Sequence, residues 1–90
     1  MIRSFRSRSL EAFWTTGSAR RLPVPNHGRV RIALLALDQA TRPEDLNIPG
    51  FHFHGLRGEP RWSVRVTANW RITFGWGDGD ALDVDLEDYH

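Results

Sequence analysis

The chain has 90 residues, 40% of them apolar, and no cysteine. Folding buries only about 60 to 70% of the surface of a chain this short, so one modest core and a single domain over 1–90 are expected. Disulfide scaffolds, thiolate metal centres and cysteine nucleophiles are excluded, and no apolar run approaches the ~18 residues of a membrane helix, which predicts a soluble cytoplasmic protein without a membrane partner. The net charge of +1 hides a split: residues 1–71 hold all 12 arginines and five acids, and residues 72–90 hold six acids and no arginine. The basic body points to a polyanionic partner, because the guanidinium fork binds phosphate bidentately.

In chain order, Met1 to Phe5 is extended, with Ile2 and Phe5 available for burial. Ser7 or Ser9 can cap a helix carrying Leu10, Phe13 and Trp14 at helical spacing, and Gly17 suits its terminus. Residues 18–28, with Pro23, Pro25 and Gly28, form a connection, and Pro25 or Asn26 starts the next helix. Residues 29–40 are the strongest helical segment. Val30, Ala33, Leu34 and Leu37 make one face, and Ile32, Leu35 and Ala36 widen the stripe. A helix this apolar is expected to be covered on more than one side; the alternative is that part of it docks a partner. Thr41 to Gly50 holds at most one helical turn.

The second half has strand periodicity. Residues 51–57 alternate Phe51 and Phe53 against His52 and His54, residues 62–67 alternate about Trp62, Val64 and Val66, and residues 70–76 about Trp70, Ile72 and Phe74. Gly77-Asp78-Gly79-Asp80 is a hairpin signal, followed by Leu82, Val84 and Leu86. An α+β fold follows, with two N-terminal helices packed on one face of a small antiparallel sheet. If the apolar sets share the core face, the other face displays Arg65, Arg71, Thr73, Asp83 and Asp85, with the arginines near the acidic row. Cross-strand Arg–Asp pairing is then the plain structural explanation of those charges.

No P-loop, dinucleotide fingerprint, HExxH, GxSxG or zinc spacing is present. What remains is a scatter of His52, His54 and Arg57, of Arg65 and Arg71, and of Asp88-Tyr89-His90. His52 and His54 could ligate a metal with Asp88 or His90, but no third ligand has a recognisable spacing, and no metal or cofactor is expected. Arginines beside histidines and aromatics fit RNA cleavage. RNA carries its own 2′-OH nucleophile, so an enzyme needs only proton-transfer groups and cations on the phosphate, with aromatics to stack on an unpaired base. Arg65 and Arg71 are the meander's candidates for holding that phosphate.

Met1-Ile2-Arg3-Ser4-Phe5, Phe53-His54-Gly55-Leu56-Arg57-Gly58, Trp62-Ser63-Val64, Asn69-Trp70-Arg71-Ile72-Thr73-Phe74 and Glu87-Asp88-Tyr89-His90 together resemble the HigB-type toxins of the RelE/ParE toxin–antitoxin superfamily. The resemblance runs the length of the chain and is poorest over residues 18–30. It implies a RelE-like fold, an mRNA interferase that cuts messages in the ribosomal A site against ribosomal RNA, and a HigA-like helix-turn-helix antitoxin. It also implies a site of His54, Arg57, Arg71, Asp88, Tyr89 and His90. His54 and His90 would transfer protons, Arg71 would stabilise the scissile phosphate and Arg57 would assist. Tyr89 would position or stack on substrate, and Asp88 would orient a neighbour or act as base. The family commonly has lysine where Arg57 stands; arginine keeps the charge without shuttling protons. Gly58-Glu59-Pro60-Arg61 is also shorter than usual, and lysine is absent throughout. The alternatives are a non-catalytic binding protein on the same scaffold, either an inactive toxin or a gyrase-binding poison, and a basic nucleic-acid-binding module.

Overall fold

A computed structural model describes residues 1–88. Helix α1 (Arg8–Thr16) starts where the Ser7 hydroxyl accepts the Leu10 N–H at 3.2 Å. It ends at Gly17, whose left-handed φ of 77° lets its N–H reach the Phe13 carbonyl. Helix α2 (His27–Gln39) is capped by the Asn26 side chain, which accepts the Arg29 N–H at 3.1 Å. It buries Val30, Ala33, Leu34 and Leu37, while Ile32 and Leu35 remain 59% and 47% exposed. Among the described residues, the expected cover on more than one side of this helix is therefore not there. A chain of this size has one sheet and one short helix to offer, and α2 spends its single buried face on them. A 3-10 turn (Pro43–Leu46) follows and adds Leu46 to the core.

The sheet is an antiparallel meander of β1 (His54–Gly55), β2 (Arg61–Arg65), β3 (Trp70–Gly77) and β4 (Asp80–Asp88), in that order. The β3–β4 hairpin turns through Asp78 and Gly79 at φ of 54° and 81°, the left-handed pair that its sequence announced. The outer edge of β4 is closed by the first residues of the chain, through parallel bridges Ile2–Ala81 and Phe5–Val84. The terminal amine and Arg3 pair with Asp80 at 3.2 and 2.7 Å, and Arg3 reaches Asp78 at 3.4 Å. Both helices pack on one face of the sheet, over Val64, Ile72, Phe74 and Val84.

Three expectations are corrected. The strand expected over residues 51–57 shrinks to His54–Gly55, because Gly50 and His52 take left-handed φ of 90° and 51° and break extension. Leu82 leaves the core face: β3 and β4 slip between Thr73 and Gly75, Asp83 takes φ of 49°, and Ala81 is buried in its stead. The second face is not simply displayed. Thr73 is fully buried there and Arg61 nearly so, joined by a chain in which Arg61 Nη2 donates to Thr73 Oγ1 at 3.1 Å and to the Asp83 carbonyl at 2.8 Å. Thr73 Oγ1 donates in turn to Glu87 Oε2 at 2.6 Å.

Candidate active site

On the face of the sheet turned away from the helices, His52, His54, Ser63, Arg65 and Arg71 line a cavity of about 200 Å³. The register explains the gathering. His54 of β1 lies across from Ser63 of β2, and Arg65 of β2 lies across from Arg71 of β3. Two arginines at paired strand positions bring two cationic side chains to the wall of one cavity, a donor set suited to an anion. Arg65 was expected beside the acidic row of β4, but β3 stands between them.

The His54 ring is held by a 2.9 Å contact between Nδ1 and the His52 carbonyl. A carbonyl oxygen only accepts, so Nδ1 carries the hydrogen and Nε2 is the nitrogen left for proton transfer. The left-handed backbone at His52 accompanies this contact and places the His52 side chain in the cavity wall as well. The two histidines are thus brought together by a turn and not by strand alternation. Among the described residues, no group of three or more histidine and carboxylate side chains has the geometry to hold a metal ion.

The other expected site residues fall as follows. Arg57 is exposed in the turn after β1 and does not line the cavity. Asp88 ends β4 across from Trp70, whereas Glu87 lies across from Arg71. Tyr89 and His90 lie outside the described residues. Sequence reasoning missed Ser63 and Glu87 as neighbours of the arginines. Their strand parity was the available signal: Ser63 shares a side with Arg65 two residues on, and Glu87 shares a side with its cross-strand neighbour Arg71.

A family model described as the RelE-like toxin of type II toxin–antitoxin system HigB matches residues 3–90. The chain belongs to the HigB-like toxin family. It is 39% identical over 92 residues to a Proteus vulgaris protein named endoribonuclease HigB, covering all of both chains. It is 35% identical over 91 residues to toxin HigB-1 of Vibrio cholerae serotype O1, covering 97% of this chain and 96% of that one. The resemblance drawn from the sequence motifs is borne out, and so is the α+β architecture with N-terminal helices expected of a HigB-like toxin.

Proposed function

We propose that the chain is an endoribonuclease toxin that halts translation by cutting mRNA in the ribosomal A site. The single observation that carries the reading is the cavity itself, where an Arg65–Arg71 cross-strand pair faces an imidazole whose Nδ1 is already engaged. The endoribonuclease name of the Proteus vulgaris relative supports it.

In this reading the RNA 2′-oxygen loses its proton to a base and attacks the adjacent phosphorus. The new P–O2′ bond forms as the P–O5′ bond breaks, and an acid protonates the departing 5′-oxygen. The products are a 2′,3′-cyclic phosphate and a 5′-OH end. His54 Nε2 serves as one of the two proton-transfer groups, and Asp88, Tyr89 and His90 supply the other and orient the substrate. Arg71 and Arg65 neutralise the charge that gathers on the non-bridging oxygens in the transition state. Arg57 assists from the neighbouring turn. No metal or cofactor enters this chemistry. The exposed arginines of the basic body bind ribosomal RNA, and a HigA-like helix-turn-helix antitoxin neutralises the toxin in the cytoplasm.

The test is a translating extract with a reporter mRNA. The protein in excess over ribosomes should cut the message and leave 5′-OH ends, and intact message with continuing translation overturns the proposal. Replacing His54 or Arg71 with alanine should lower the cutting rate by about 10² to 10³ each, the size measured for single proton-transfer and charge-stabilising groups. Equal cutting by these variants would remove the residues from the site.

A further inference from the structure

At the end of β2 away from Arg65, a second cavity of about 350 Å³ shares no wall residue with the first. The register makes the space. Arg61 of β2 lies across from Gly75 of β3, so no side chain fills the room beside its guanidinium. A Cβ at Gly75 would stand 3.7 Å from Arg61 Nη1 and 3.7 Å from the Leu82 carbonyl. Arg6, Pro60, Leu82 and Asp83 stand around the same cavity. Arg61 is only 7% exposed, yet among the described residues it forms no ion pair. Nη2 spends its two hydrogens on the Thr73 hydroxyl and the Asp83 carbonyl, and the Glu87 carboxylate is reached only through that hydroxyl. Among the described residues, Nε and Nη1, which carry the other three of the five guanidinium hydrogens, have no partner. Buried charges are ordinarily paired, because one hydroxyl and one carbonyl do not replace the lost water.

We propose that this cavity binds a small organic monocarboxylate with an apolar body, its head group held between Arg61 Nη1 and Arg6. The proposal is independent of the ribonuclease reading. The charge of the wall selects the head group. Two guanidinium groups face one carboxylate, that of Asp83, and neither Arg6 nor Asp83 forms an ion pair among the described residues. A surplus of one positive charge matches a monoanion, whereas Asp83 repels a phosphate dianion or an RNA strand. The rest of the wall selects the body. The β4 bulge turns Leu82 away from the core, and with the exposed Pro60 it gives the cavity an apolar side next to its cations. The volume lies within the range of about 300 to 1,000 Å³ that small-molecule sites occupy, and a mostly apolar pocket with a few charged groups is their usual chemistry.

The experiment is an amide NMR titration of the whole protein with phenylacetate. The Gly75 and Leu82 amides should shift and saturate with a Kd of about 1 mM, the strength open to so small a ligand. Benzyl alcohol keeps the body without the charge, and acetate keeps the charge without the body; each should bind about tenfold more weakly. Arg6→Gln, at an exposed position, should weaken phenylacetate about tenfold. Gly75→Ala puts a methyl group where the head group sits, at ordinary contact distances and on a backbone that alanine accepts, and should abolish the shifts. Unmoved Gly75 and Leu82 amides overturn the proposal. So does acetate or benzyl alcohol binding as well as phenylacetate, inorganic phosphate binding more tightly, or Arg6→Gln binding like wild type. Should Gly75→Ala lose its dispersed spectrum, the wild-type and Arg6→Gln titrations decide. The ribonuclease reading stands or falls on message cutting alone, whichever way this titration goes.

Discussion

At the scale of single residues, the cavity depends on a backbone conformation that its own sequence disfavours. His52 sits at φ of 51°, where a non-glycine residue stores about 1 to 3 kcal/mol of strain. Asparagine tolerates that region far better than a β-branched residue does. His52→Asn should therefore unfold in urea close to wild type, while His52→Val should lose about 1 to 3 kcal/mol. The valine variant should also release the His54 ring. Imidazole 15N shifts should show hydrogen on Nδ1 of His54 in the wild type and a mixture of tautomers in His52→Val. A wild-type His54 protonated on Nε2 alone would exclude Nε2 as a base. That histidines 52 and 54 share one site was legible in their spacing, but the route was not. Alternation predicted a strand, whereas the turn is held by long-range bonds, from the Arg65 N–H to the Phe51 carbonyl at 2.7 Å and from Arg29 Nη2 to the Gly50 carbonyl at 3.4 Å.

Elements whose determinants are local were read correctly. Ser7, Gly17, Asn26 and the Asp78-Gly79 turn act within four residues of themselves, so the two helices and the last hairpin were visible in the sequence. The β4 bulge was not, because it depends on how β3 and the first residues of the chain grip β4 from either side. The Ser4 hydroxyl accepts the Asp83 N–H at 2.9 Å, and the Ser4 carbonyl accepts the Val84 N–H at 3.1 Å. The polar face was likewise misjudged as open. The Arg61–Thr73–Glu87 chain fills it, and its middle hydroxyl both accepts and donates. Thr73→Val keeps the shape and removes that hydroxyl, leaving the Arg61 N–H and the Glu87 carboxylate short of a partner. Urea unfolding should register a loss of about 1 to 3 kcal/mol, against near-neutrality if the chain contributes nothing.

Over the whole molecule, the charge split becomes a set of contacts. The acidic end of the chain folds back on the basic beginning, where Arg3 and the terminal amine meet Asp78 and Asp80. The hydrogen bond from Arg3, and then that from the amine, hold the Asp80 carboxyl below its ordinary value of 3.8. A carboxyl depressed in the folded state stabilises the fold above its ordinary pKa, and that share is lost as acid protonates it. Asp80→Asn should thus be less stable than wild type above about pH 5, with the two urea curves converging as the pH falls below about 4. The gap above pH 5 should narrow in high salt, because these groups meet solvent. A constant gap from pH 6 to pH 2 would show that Asp80 acts through something other than its charge.

The bridges Ile2–Ala81 and Phe5–Val84 also set a clock. They join segments nearly eighty positions apart, so the sheet's outer edge must wait for a slow encounter between distant stretches, and loop-closure entropy is spent before those contacts give anything back. A growing polypeptide cannot complete that edge until residue 84 has been made. Refolding from urea should accordingly run in milliseconds to seconds, where a helical bundle of equal length takes microseconds to milliseconds. Such a delay postpones finished structure until synthesis has passed the last strand.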